Sequence, residues 1–268
     1  MARKLSISRS WDEAKGILGR DGRLIGAIAL ALIVLPSTIQ TMVTPAAPQG
    51  EMPKPGAWML VAVAAVLVGI VGQLAILRMA IGPATTVREA INHGARRMPV
   101  LVAAMLIWVL PIAVVAILLV RGAAPAQPPA GAVLGFLALM ILLIYLAVRL
   151  IVSAPIASAE TAGPVGILKR SWQLTKGNWW RLFGFLALLM VAAIVVLMAA
   201  GALMGAIAGI LLGGTEPMSV GALLVALVTQ TAIAALSVVF LVMSARIYLQ
   251  LAGADAGEAE ASVPSSGT

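Results

Sequence analysis

The sequence predicts an all-α, polytopic membrane protein: six transmembrane helices arranged as three parallel repeats of an amphipathic helix plus a hairpin. Three observations predict it. Only 10% of the 268 residues are charged while 62% are apolar, and the mean hydropathy is +1.07. A soluble domain carries roughly 25% charged residues because water must wet its surface. Six apolar runs are each long enough to cross about 30 Å of hydrocarbon. Finally, every basic residue except Lys54 and Arg121 falls on the side of the runs that holds both termini. This composition excludes an ordinary soluble enzyme, a disordered chain and a disulfide scaffold.

The spans are expected at Leu24–Val43, Ala57–Ala80, Val100–Val120, Ala132–Ala154, Leu182–Leu212 and Val220–Leu251. The first is too long for the apolar core of a signal peptide, roughly 7–15 residues, and is read as a retained helix. The fifth and sixth exceed one crossing, so they must tilt, project or break at glycine. The connectors Thr44–Gly56, Arg121–Gly131 and Gly213–Ser219 are rich in Pro, Gly and Ala and read as turns. Residues 252–268 are small and acidic and read as a disordered tail. Positive charge is retained on the cytoplasmic side of a membrane protein, so both termini are expected in the cytoplasm.

The repeat is carried by a few identities. Gly82-Pro83 and Gly163-Pro164 lie 81 residues apart, an offset that puts Arg88 on Lys169 and Ile91 on Trp172. Arg9-Ser10-Trp11 returns as Arg170-Ser171-Trp172, and Lys15-Gly16 as Lys176-Gly177. The even spans end alike, in Leu77-Arg78-Met79, Val148-Arg149-Leu150 and Ala245-Arg246-Ile247. The units are about 5–80, 82–154 and 163–251 of one membrane domain, 1–251. Two spans per unit give all copies one orientation and predict a pseudo-threefold axis along the membrane normal. Each basic segment is amphipathic: Ile7, Trp11, Ala14 and Leu18 form the apolar face of the first. Val87, Ile91, Gly94 and Met98 form that of the second, and Ile167, Leu168 and Trp172 that of the third. Thr86-x-x-Glu89 reads as a capping box. Such helices are expected to lie at the membrane interface.

The stretch from Gly163 to Leu182, with Lys169-Arg170-Ser171-Trp172, Lys176-Gly177 and Trp179-Trp180-Arg181, resembles the membrane domain associated with bacterial glycerophosphoryl diester phosphodiesterases, a domain that also occurs alone. The resemblance extends over residues 1 to about 251. It implies a bacterial inner-membrane module without the phosphodiesterase activity. In fused relatives that activity belongs to a separate soluble domain, and no stretch of soluble composition here is long enough to be one.

The residue inventory points the same way. There is no cysteine and one histidine, His93, and none of the ten acids falls inside an expected span. A catalytic triad or metal cluster has no material, so no catalytic residue, metal or cofactor is expected, and an intramembrane enzyme is disfavoured. The absence of an intramembrane carboxylate also weighs against an ion-coupled transporter. The basic set Arg78, Arg88, Arg96, Arg97, Arg149, Lys169, Arg170, Lys176, Arg181 and Arg246 either sets topology alone or binds anionic headgroups. Arg78, Arg149 and Arg246 would converge if the pseudo-threefold holds. Gly201, Gly205, Gly209 and Gly213 form a ridge for packing within the chain or for a homo-oligomer. Gln73, Thr229, Gln230 and Thr231 either glue helices together or line a polar passage.

The function these residues predict is a non-catalytic membrane module that binds anionic phospholipid, and a partner protein, in envelope or lipid homeostasis. The alternative is a transporter or channel-like protein for a lipid-related or small amphiphilic solute. The expected partners are membrane lipids, a second copy or another membrane protein, and no nucleic acid.

Overall fold

Apolar runs of this length satisfy their backbone only as helices in hydrocarbon. The computed structural model, which describes residues 5–45, 53–82, 85–122, 130–211 and 219–261, contains only helices as regular structure among those residues. The order is α1 (Ile7–Ala29), a π-helical turn (Leu30–Val34), α2 (Leu35–Val43), α3 (Trp58–Ile81), α4 (Val87–Gly122), α5 (Ala130–Arg149), α6 (Ser153–Ala159), α7 (Pro164–Leu174), α8 (Trp179–Leu211) and α9 (Val220–Ala261). Six helical stretches are long and apolar enough to cross a membrane.

Local chemistry accounts for the boundaries. Ser6 caps α1 by accepting from the Arg9 amide. The capping box is present: Thr86 N–H donates to Glu89 Oε2 at 3.0 Å, and Glu89 N–H to Thr86 Oγ1 at 3.3 Å. Pro164 occupies the first turn of α7, where its missing N–H costs nothing. Ser219 Oγ accepts from the Ala222 amide at the start of α9. In the first span, Leu35 N–H reaches back to the Leu30 carbonyl. That wider turn relieves the crowding which Pro36 imposes one turn earlier.

Several expectations are corrected. The first two basic segments are not separate interfacial helices. Residues 7–43 form one helical run, and α4 continues through Pro99 into its span. Only the third stands apart, because the chain turns at Gly177, whose φ of +83° glycine tolerates without strain. Helix α5 ends at Arg149, inside a candidate membrane span that runs on to Ala159. There the chain turns, Ser153 Oγ bonding the Leu150 carbonyl at 2.6 Å, and restarts as the buried α6. The fifth and sixth spans stay unbroken over 33 and 42 residues. The helix of α9 also runs to Ala261, into the segment expected to be disordered, whose Ala and Glu residues favour helix.

The core lies toward the basic end of the bundle. Ile25, Leu74, Leu77, Leu101, Ile156, Ile167, Leu182 and Ile247 are all fully buried there. Toward the opposite end, Leu60, Leu118, Leu134, Leu203 and Ile210 are exposed, as side chains facing lipid are. Glycines set two of the crossings. Gly72 of α3 leaves room for Leu32 of the π turn, and Gly94 of α4 lies against the Val71 carbonyl of α3. The three hairpins are not packed equivalently. The first, second and sixth spans are 28%, 39% and 28% buried, and the other three 11% each. α3 packs on α9, whereas α5 packs chiefly on α4 and α8.

Each basic segment is also tied to another helix of the bundle. α4 sits on α3 through Gly94. α7 is joined to the end of α5, with Ser171 Oγ donating to the Arg149 carbonyl at 2.7 Å. α1 closes on α9, where Gln250 donates to Ser10 Oγ at 3.0 Å and accepts from the Ser6 amide. The positions that match in sequence are buried alike: Ser10, Ala90 and Ser171, then Ala14, Gly94 and Thr175. The expected apolar faces are largely the inward ones, with Ala14, Gly94 and Ile167 buried and Ile7, Leu18, Val87, Ile91 and Met98 packed on the core, and only the tryptophans depart from them. Trp11 and Trp172, placed on the apolar faces, are 43% and 41% exposed and instead flank cations.

Candidate functional site

The basic residues gathered at one end of the bundle divide by burial. Arg88, Arg96, Lys169, Lys176 and Arg181 are exposed, whereas Arg78, Arg97, Arg149, Arg170 and Arg246 are half-buried. The first basic helix largely neutralises itself, through Arg9–Glu13, Lys15–Asp12 and Arg20–Asp21 pairs at 2.8 Å each. No such pairing engages Arg88, Arg96, Lys169 or Lys176 among the described residues. Uncompensated charge therefore concentrates on the start of α4 and on α7.

One cavity combines these groups with other polar chemistry. It has a volume of about 450 Å³ and is lined by Arg78 from the last turn of α3, Thr85 before α4, and Glu89, Asn92, His93 and Arg96 on α4. The helix repeat puts positions 89, 92, 93 and 96 on one face. Thr85 Oγ1 is buried with no hydrogen-bond partner among the described residues. His93 Nε2 lies 2.9 Å from the Ser158 carbonyl. A carbonyl only accepts, so Nε2 carries the proton and Nδ1 of the neutral ring is left as an acceptor. Arg88 borders a second recess with Val87, Ile91 and Asn92. Asn92 belongs to both, so Arg78, Arg88 and Arg96 surround one polar region.

The half-buried cations mostly hold the fold. Arg97 donates to the carbonyls of Ala157 at 2.8 Å, Ala162 at 3.2 Å and Glu160, satisfying the open end of α6. The Glu160 carboxylate accepts from Tyr248 at 2.9 Å and pairs with Arg170 at 3.4 Å, so α4, α6, α7 and α9 meet there. Arg149 lies over the rings of Tyr145 and Trp172, at 5.3 and 4.9 Å from their centroids, and donates to Tyr145 Oη. The Nε of Arg246 is buried with no hydrogen-bond partner among the described residues. Arg78, Arg149 and Arg246 thus sit in three different surroundings, and no contact among the described residues brings them together. Glu160, Tyr248 and the His93–Ser158 contact were not among the candidates read from sequence. Their partners lie 10 to 88 residues away, beyond any local spacing.

The remaining candidates have other roles. Gln230 Nε2 donates to Thr41 Oγ1 at 3.1 Å, tying α9 to α2. Thr231 bonds its own helix at Leu227 and edges a 370 Å³ groove whose other lining residues, Leu18, Ile25, Val34 and Val238 among them, are apolar. Gln73 and Thr229 are half-buried. Gly201, Gly205 and Gly209 have nothing within 4 Å of where a Cβ would stand, so no helix among the described residues fills that ridge. Gly213 lies outside the described residues.

Among known protein families, the model described as the membrane domain of glycerophosphoryl diester phosphodiesterase matches residues 127–263. That range takes in α5 to α9, including the α7 stretch on which the resemblance rested. No curated protein and no solved structure matches the chain.

Proposed function

This chain belongs to the family of the membrane domain of glycerophosphoryl diester phosphodiesterase, and on that premise we propose that it is a non-catalytic module of a bacterial inner membrane that engages anionic phospholipid headgroups in envelope or lipid homeostasis. The observation that carries this reading is the set of exposed cations without ion-pair partners among the described residues, Arg88, Arg96, Lys169 and Lys176, at one end of an apolar bundle. Lysines and arginines beside a membrane span are drawn to an anionic leaflet, and the attraction acts within about a Debye length of its surface. Both termini lie in the cytoplasm on this reading, and the three basic segments form a collar level with the cytoplasmic headgroups. A partner protein, or a second copy, would meet the module in the plane of the membrane.

The test uses the purified protein in nanodiscs of mixed phosphatidylglycerol and phosphatidylethanolamine. Anionic lipid should be enriched around the wild type, and less so as salt rises. The variant carrying Arg88→Gln, Lys169→Gln and Lys176→Gln should lose that enrichment while still unfolding cooperatively. Enrichment equal to wild type in this variant would falsify the assignment. Arg170 is left intact because it pairs with Glu160, and its loss would disturb α7.

A further inference from the structure

We propose that the pocket between the end of α3 and the start of α4 is a selective subsite for a singly charged phosphodiester that carries free hydroxyls, the chemistry of a phosphatidylglycerol headgroup. The inference deepens the headgroup reading above and rests on it, but it concerns selectivity rather than general attraction to negative charge.

The lining supplies the argument. Arg78 and Arg96 offer two guanidinium groups, which suit the oxygens of a phosphate. Asn92 adds an amide, and Thr85 a hydroxyl that has no partner among the described residues. The same wall holds two acceptors, the Glu89 carboxylate and His93 Nδ1, the latter left open because Ser158 fixes the proton on Nε2. Glu89 Oε2 already accepts from the Thr86 amide in the capping box, but the carboxylate still repels a bare phosphate and its other oxygen remains an acceptor. Hydroxyls on a neutral head group need such acceptors. Charge selects further: the Glu89 carboxylate repels the second charge of a dianionic phosphomonoester, and the arginines repel the ammonium of a zwitterionic head, so a phosphodiester with a neutral polyol head fits best. The volume of about 450 Å³ is that of a small-molecule site. Arg78 ends a membrane-crossing helix, so a phosphate held there lies at headgroup depth.

The experiment measures, by native mass spectrometry, which lipids the full chain retains from nanodiscs containing equal amounts of phosphatidylglycerol, phosphatidylethanolamine and phosphatidic acid. The wild type should keep phosphatidylglycerol over both others. Arg78→Gln or Arg96→Gln should lower that preference roughly tenfold, the loss expected for a hydrogen bond to a charged group. Glu89→Gln should shift retention toward phosphatidic acid. The collar variant lowers all anionic lipid together. A preference lost only in the pocket variants supports the subsite while the collar reading fails. Anionic enrichment lost in the collar variant, with equal retention of phosphatidylglycerol and phosphatidic acid by the wild type, keeps the collar and overturns the subsite. An unchanged preference in the pocket variants also overturns it. If Arg78→Gln does not fold, Arg96→Gln decides, since that side chain is exposed. A parallel titration with soluble glycerophosphoglycerol, which has no acyl chains, separates the sources. Binding there identifies a free diester as ligand, binding of the acylated form alone identifies the lipid, and binding of neither overturns the proposal.

Discussion

Replacing Gly94 by alanine should loosen the crossing on which the basic end is built. A Cβ at this position would stand 2.6 Å from the Val71 carbonyl oxygen, 3.3 Å from the Ala75 nitrogen and 3.4 Å from Leu74 Cβ. Two of these three obstacles are backbone, so no rotamer change relieves them. α3 and α4 must part by about 0.4–0.8 Å to restore ordinary contact, a gap that forfeits roughly a quarter of the dispersion well or more for each pair it opens. The neighbours that would feel it, Leu74, Leu77, Ala90 and Leu101, are fully buried. Overpacking of this kind costs about 1–3 kcal/mol. Equilibrium unfolding of the purified protein in detergent measures it directly. Gly205→Ala is the matched control: nothing lies within 4 Å of its Cβ, and the gain in helix propensity, about 0.5–1 kcal/mol, should leave the protein as stable or slightly more so. If Gly94→Ala unfolds together with Gly205→Ala, the steric reasoning is wrong.

Arg97→Gln should destabilise by about 2 kcal/mol or more, because it strips charged hydrogen bonds from three carbonyls at the end of α6. Hydrogen exchange across residues 153–162 should quicken with it, and unchanged protection there would dismiss the capping role. Glu160→Gln keeps an acceptor for Tyr248 but loses the ionic attraction of Arg170. With both side chains about 30% exposed, screening limits the loss to about 1 kcal/mol or less, and a larger effect than that of Arg97→Gln would reverse the ranking. The chain has no cysteine, so single-cysteine labelling reads topology cleanly. Gln49→Cys should react only from outside and Lys176→Cys only from the cytoplasm, and the opposite pattern would invert the assigned orientation.

Span number and the sidedness of charge were legible in the sequence because both are one-dimensional: a run of apolar residues is itself the signal, as is the side on which lysine and arginine fall. The capping box Thr86–Glu89 was legible for the same reason, since both partners lie within one turn. The place of the tryptophans on the basic helices was not. Tryptophan counted as apolar pulled the expected face toward Trp11 and Trp172. The structure instead buries Ser10 and Ser171, whose hydroxyls find partners on a neighbouring span, and leaves the indoles beside cations. Glycines divided in the same way. A four-residue spacing made Gly201, Gly205 and Gly209 conspicuous, yet they face open space, whereas the unremarkable Gly72 and Gly94 carry the close crossings. Which glycine meets a helix is decided by the other helix. The pocket of Arg78, Asn92, His93 and Arg96 was visible only as separate polar residues, because α3 and α4 must first be folded against each other to enclose it.

The central claim, that the basic end of this bundle binds anionic headgroups, is tested most directly by an experimental structure of the protein in phosphatidylglycerol–phosphatidylethanolamine nanodiscs. The account predicts ordered headgroup density at the basic end, with a phosphate flanked by Arg78 and Arg96 and further phosphates beside Arg88, Lys169 and Lys176. Headgroup density equally weak at both ends of the bundle, with only water between Arg78 and Arg96, would contradict it.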